Sequence, residues 1–445
     1  MNSELSRAAR DAVPGPSSRT FLERARELLR SPGLVEVQRF AQEDDARVLA
    51  EQRELTEIPA PPFGEGPRAK RMAELFRKAG LHAVETDAEG NVLGWLRPYD
   101  SYSLVPVGGG DSRNDGASAP SAANRIPAPI IVSAHLDTVF PEGTDVRVRE
   151  KGDRLIGPGI SDDGRGLAAL LGLARVLIRG ATQLRTPVLF AATVGEEGAG
   201  DLRGVRHIFR EDGLARRARG FISLDGAGMN RIVTSGLGSR RFRITVTGPG
   251  GHSWVNWGTA NPIHALGEAI ARWTRLALSE DPPATLTVAR WGGGTSINAI
   301  PQEAWVELEL RCVSEEILAH LEVDIRKTLA AVLHAVNRGA AEGTDALRSH
   351  VEGLGVRPAG ETDGRQLLVR AATAATRSLS ATPELAVSST DANIPMSLGI
   401  PAITMGAGGE AGQAHTTEEW YRNTQGPDGI VRALLTMMLV DEGSE

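Results

Sequence analysis

A single cysteine, Cys312, stands in this chain of 445 residues, so no internal disulfide can form. No uninterrupted apolar run is long enough to span a bilayer, which excludes a membrane-spanning helix as the reading of any segment. Lysine and arginine are outnumbered by aspartate and glutamate, with a formal net charge of -7, and they form no cluster. Nucleic acid is therefore not the expected main partner. The opening stretch MNSELSRAARDAVPGPSSRT has no apolar centre and no secretory pattern, so a cytoplasmic location is expected.

What is present is the composition of a globular protein, 41% hydrophobic and 24% charged. The length exceeds one usual domain, and two are expected. Residues 1–20 read as a loose arm. The segments FLERARELLR, VEVQRFAQEDDARVLAEQREL and RAKRMAELFRKAG carry apolar residues at helical spacing, the last closed by Gly80. NVLGWLRP reads as a strand, and Gly108–Pro129 as a loop of small and polar residues. Then strands alternate with helices: PIIVSAHLDTVF, RGLAALLGLARVLIRG, TPVLFAATVG, GFISLDG and, near residue 403, PAITMGAG. These strands are nearly continuous apolar runs, as a sheet covered on both faces requires. Between residues 241 and 358 the pattern changes. RFRITVTG and WVELELRCV alternate strictly, and two amphipathic helices accompany them, which predicts a smaller α/β domain with one solvated sheet face. The larger domain is then split into residues 21–240 and 359–445. The fold class is α/β, a mostly parallel sheet covered by helices with a smaller α/β domain inserted.

The ionisable residues of the larger domain gather at one edge of this pattern. His135 and Asp137 sit late in one strand, two positions apart and on one face. Asp162 and Asp163 open the following helix, Glu196 and Glu197 follow the next strand, Asp225 ends another, and His415 follows the last. Ligands of open α/β sheets bind outside the carboxyl ends of the strands, where all of these residues fall. Histidine nitrogen with carboxylate oxygen is the ligand set of zinc and its neighbours. The carboxylates suffice for two metals with one shared, and of the adjacent pair Glu196–Glu197 one can bind metal while the other serves as general base.

SAHLDTVF, GPGISDDGRG, TVGEEG, SLDG and the late AHTTEEW together resemble the di-zinc exopeptidase family. It includes peptidase T, carnosinase-type dipeptidases, aminoacylases, glutamate carboxypeptidases and the acetylornithine and succinyl-diaminopimelate deacylases. The resemblance covers most of the chain from about residue 45. It implies a zinc-exopeptidase-like fold with an inserted lid or dimerisation domain, and two divalent ions, zinc first, with manganese or cobalt as alternatives. It implies His135, Asp162, Glu197, Asp225 and His415 as ligands, Asp162 bridging, with a cis bond between Asp162 and Asp163. Glu196 would be the general base. Asp137 would orient His135 by accepting its second ring proton.

TGPGGHSW resembles the segment whose histidine, here His252, reaches a partner subunit's site to stabilise an oxyanion, so a homodimer is expected. TSINAIPQEAWVELELR resembles the segment whose asparagine and arginine, here Asn298 and Arg311, hold the substrate. The family often has aspartate two positions before that arginine, where this chain has Glu309.

Plainer readings stand beside these. Asp163 suits a helix-capping acid. Arg311 suits an ion-pair ladder with Glu307 and Glu309. Asp391 suits either a turn or a substrate contact. His207, His264, His320, His334 and His350 read as structural, and Cys312 as a small core residue. TEIPAPPFGEGPRAKRMAELFRKAGL and DAEGNV look more like peptidase T than like the deacylases, so the substrate expected is a short peptide. The alternatives are an N-acyl amino acid as substrate or, from another class, a non-catalytic binding or assembly protein.

Overall fold

The computed structural model describes residues 16–98, 127–180 and 184–443, in two compact units, 1–235 with 361–445, and 236–360. The smaller unit was expected at 241–358. The first helix, Pro16–Arg30, begins inside the segment read as a loose arm, whose residues 1–15 lie outside the described residues. So does most of the expected loop Gly108–Pro129.

The larger unit is built on a mixed sheet. Its centre runs Val188–Thr193, Ile130–His135, Gly220–Leu224, Ala402–Met405, all parallel. Antiparallel strands flank it, Val92–Trp95 and His82–Thr86 on one side and Arg231–Gly236 on the other. The sheet is thus parallel only in the centre, where its strands are buried on both faces. Ile130, Val132, Ala134, Phe190 and Ile222 pack with the helices Pro32–Thr56, Gly66–Ala79, Gly164–Arg179, Leu367–Ser378 and Gly426–Glu442. Their neighbours Ile131, Leu189, Ala191 and Phe221 pack on the opposite face with Val205, Ile208 and Phe209. Successive strand residues point to opposite faces, so two covers require the unbroken apolar runs seen in the sequence.

A second, small antiparallel sheet joins Arg149–Lys151, Arg154–Ile156, Trp420–Arg422 and Glu410–Gly412. The sequence reading did not anticipate it, because strands of three residues carry no readable period.

The smaller unit is a four-stranded antiparallel sheet, in the order Thr285–Gly293, Glu303–Cys312, Gly238–Thr247, Arg348–Arg357. The helices Pro262–Trp273 and Glu315–Gly339 contribute Leu266, Trp273, Leu318 and Ile325 to a core with Val306, Leu308, Leu310 and Cys312. The other face carries ion pairs: Arg243 with Glu307, and Arg241 with Glu309 across paired strands.

Candidate metal centre

The side chains singled out in the larger unit meet at the carboxyl ends of the central parallel strands. His135 is the last residue of its strand; Asp225 and the Glu196–Glu197 pair follow theirs. Asp162 lies in the turn before the helix Gly164–Arg179 and joins Asp163 through a cis peptide. His415 lies between Glu410–Gly412 and Trp420–Arg422, so the small sheet carries it to the site.

One oxygen of Asp162 lies 3.0 Å from His135 Nε2 and the other 3.1 Å from His415 Nε2. Glu197 Oε1 is 3.3 Å from the same His415 nitrogen. Donor atoms of His135, Asp162 and Glu197 all fall within 4.8 Å of one another. Asp225 is partly buried and close enough to raise, and be raised by, its acidic neighbours. His252, Asn298 and Arg311 belong to the smaller unit.

Two buried carboxylates shape the centre without joining this set. Asp163 caps the helix by accepting from Gly166 N at 3.0 Å, and also accepts from His135 N at 3.0 Å and Gly226 N at 3.1 Å. One carboxylate thus ties the strand end of His135, the helix start and the loop after Asp225. Gly166 has to be glycine there, since a Cβ would overlap both Asp163 oxygens and the Leu224 carbonyl. Asp137 accepts from Glu196 N at 2.9 Å and Glu197 N at 2.7 Å. His135 Nδ1 faces the backbone carbonyl of Asp137 at 3.0 Å, whereas the Asp137 carboxylate lies 3.7 Å away. Both the main chain and the side chain of Asp137 thus face the ring's second nitrogen, the carbonyl being the nearer.

Residues that sequence reasoning passed over support the same loops. Arg68 is fully buried and donates to the carbonyls of Leu136 and Ile58, and Gln52 donates to Ile160 O. Glu419 accepts from the backbone of Gly159, Ser161 and Asp162. Their signal was weak, since each stands in a stretch that reads as a charged helix face or a solvated acidic pair.

Charge in the centre is shared unevenly. Burial opposes the charges of both His135 and Asp162, yet hydrogen bonds win, those of the imidazole with Asp137 and Asp162 and those of the carboxylate with His135 and His415. The imidazole is held well above its usual value, and the carboxyl below the carboxylate range. Hydrogen bonds to Asp162 and Glu197 push His415 up to about 10. Burial and the nearby Asp162 push Asp225 up to about 7, and burial lifts Asp163 well above the carboxylate range. Two imidazoles with several converging carboxylates, protons standing between them, form the donor set of a divalent cation. The residues fit the two ions that the resemblance implies.

Both histidines are held above their ordinary range in the metal-free protein, and a metal takes only the unprotonated nitrogen. Loading is expected to release protons, with apparent affinity falling as pH is lowered. Calorimetry in two buffers of different ionisation enthalpy measures this; binding without proton release would contradict it.

In the smaller unit, His252 Nδ1 accepts from Trp254 N at 3.2 Å, which leaves the ring proton on the exposed Nε2. Gly251–His252 pairs with Ala299–Ile300, so the His252 and Asn298 loops are held side by side. Asn298 Oδ1 accepts from Ser296 Oγ at 2.6 Å. Arg311 pairs with Glu309 at 2.8 Å, as part of the ladder on the solvated face. Asp391, in the larger unit, is buried and accepts from Thr193 Oγ1 at 2.5 Å.

Comparison with known proteins agrees with this architecture. The model of peptidase family M20/M25/M40 matches residues 131–438. Two curated relatives from Arabidopsis thaliana are IAA-amino acid hydrolase ILR1-like 2, 25% identical over 178 residues, and IAA-amino acid hydrolase ILR1-like 4, 27% identical over 172. Those alignments cover 38% and 36% of this chain, and 40% and 38% of the relatives' own lengths. Among solved structures, aminopeptidase PepT from Bacillus cereus superimposes with a TM-score of 0.67 at 21% identity, covering 89% of this chain and 98% of that one. The di-peptidase Dug1p from Saccharomyces cerevisiae gives 0.64 at 14%, covering 92% and 99%. The Bacillus subtilis YXEP protein, described as a dinuclear metal binding peptidase, gives 0.62 at 17%, covering 90% and 99%.

Proposed function

The chain belongs to the M20/M25/M40 peptidase family and is a hydrolytic enzyme, and from that premise we propose that it removes terminal residues from short peptides with the aid of two divalent metal ions. The observation that carries the metal reading is Asp162, which turns one oxygen to each of two histidines. Such an arrangement supports Asp162 as the ligand shared by two ions, with His135, Glu197, Asp225 and His415 as the others. Zinc suits these donors.

Bound ions of this kind polarise a carbonyl and make water nucleophilic at neutral pH. The protein's own part falls to Glu196, which takes the proton of the attacking water and delivers it to the leaving amine. Asp137 fixes the backbone of Glu196 and Glu197 together, so the base and its neighbouring ligand keep one relative position. His252, its proton on Nε2, donates to the oxyanion forming at the scissile carbonyl, and Asn298 and Arg311 hold the substrate.

His252 would act on the site of a second copy. Trp254 and Trp257, on the loop that follows it, are 85% and 83% exposed, and Ile297 beside Asn298 is fully exposed. An apolar face of that kind favours an interaction surface and supports the homodimer. The enzyme is expected to sediment as a dimer. His252→Ala should lose about 10²–10³-fold in kcat with its metal content intact. A fully active monomer would contradict this.

A second reading is hydrolysis of N-acyl amino acids. The curated relatives favour it, since both are IAA-amino acid hydrolases. Both readings use the same residues, so assays with paired substrates separate them: peptides of two or three residues against N-acyl amino acids.

A further inference from the structure

Glu419 is fully buried, yet it stands in HTTEEW beside the exposed Glu418. Its carboxylate accepts from Ser161 N and Asp162 N, both at 2.8 Å, and from Gly159 N at 3.2 Å. Its backbone carbonyl accepts from Gly157 N at 2.9 Å. One residue therefore grips the whole turn that presents Asp162. Among the described residues no lysine, arginine or histidine forms an ion pair with it.

The location gives this grip its meaning. Glu419 closes the connection that carries His415, just before the strand Trp420–Arg422. That strand pairs with Arg154–Ile156, which leads into the Asp162 turn. Asp162 and His415 come from segments far apart in sequence, and their side chains meet at 3.1 Å. Glu419 is four residues from one and hydrogen-bonded to the backbone of the other. A neutral side chain could satisfy some of these N–H groups. A buried carboxylate without a cationic side chain is costly unless positive charge lies close by, and bound metal ions would supply it.

We propose that Glu419 is a positioning residue that holds Asp162 at the distance from His415 at which both can ligate one ion. This rests on the metal reading above. It assigns Glu419 no contact with metal or substrate; the residue acts through the backbone of Asp162.

The test uses the full chain, stripped of metal and titrated with Zn²⁺ against a chromophoric chelator, and with Co²⁺ followed by its visible absorption. The variants are Glu419→Gln and Glu419→Asp. Gln keeps the length, but its NH₂ must face a backbone N–H donor. Asp keeps the charge, but is one methylene too short to reach the turn. Both are expected to bind at least one of the two ions about 10–100-fold more weakly than wild type, the usual effect of removing a group that orients a ligand. The Co²⁺ band should shift, while urea unfolding of the metal-free variants remains a single cooperative transition, as in wild type. Unchanged affinity and an unchanged band in Glu419→Gln would overturn the proposal. Wild-type affinity in Glu419→Asp would also overturn it, because charge rather than position would then be what matters. If neither variant folds, Glu419 holds the domain rather than the centre, and the proposal falls. A wild-type protein that takes up no ion would overturn the metal reading itself, and this inference with it.

Discussion

Glu196→Gln is expected to lower kcat by about 10²–10⁴-fold, the usual share of a positioned general base, while binding its full complement of metal. The separation of these effects follows from the geometry. Asp137 holds Glu196 through its backbone N–H, which the substitution leaves in place. Glu197, His135, Asp162 and His415 keep their positions, so metal content should match wild type. Elemental analysis beside steady-state kinetics measures both. If the variant hydrolyses peptides at the wild-type rate, the base is another residue. If it loses metal as well as activity, Glu196 is a ligand and its role has been exchanged with that of Glu197.

Asp163→Ala is expected to destabilise the metal-free protein by about 3–7 kcal/mol. Loss of a helix N-cap costs about 1 kcal/mol, and each buried N–H left without an acceptor adds about 1–3. The N–H groups concerned belong to Gly166, His135 and Gly226. Urea unfolding followed by circular dichroism measures the change. The same substitution frees the strand end of His135 and the loop after Asp225 from each other, so metal binding should weaken too. A variant as stable as wild type would show that these N–H groups find other acceptors and that the carboxylate is not the tie described here.

Much of this site could be read from the sequence because its residues sit at positions that β/α alternation makes visible. A histidine and an aspartate two apart at the end of an apolar strand conflict with burial, and the conflict marks a site. The central strands were legible for the same reason, since Ile130–His135 and Val188–Thr193 pack on both faces and can hold no polar alternation. Less visible was whatever depends on long-range hydrogen bonds. Arg68 reads as part of a charged helix face, yet it is buried because three main-chain carbonyls accept from it. Glu419 reads as one of two solvated acids. The small sheet that carries His415 consists of strands too short and too polar for periodicity to show. That Asp137 also accepts from the backbone N–H groups of Glu196 and Glu197 could not be read from the sequence, because it depends on how two distant loops meet.

The most direct test of the account is identification of products. The protein, loaded with zinc or manganese, is incubated with mixed di- and tripeptides and N-acetyl amino acids, with Glu196→Gln as the blank, and the products are read by mass spectrometry. Loss of a terminal residue from the peptides, absent from the blank, is the expected result. Release of acetate with every peptide left intact would contradict it and move the enzyme to the N-acyl amino acid hydrolases.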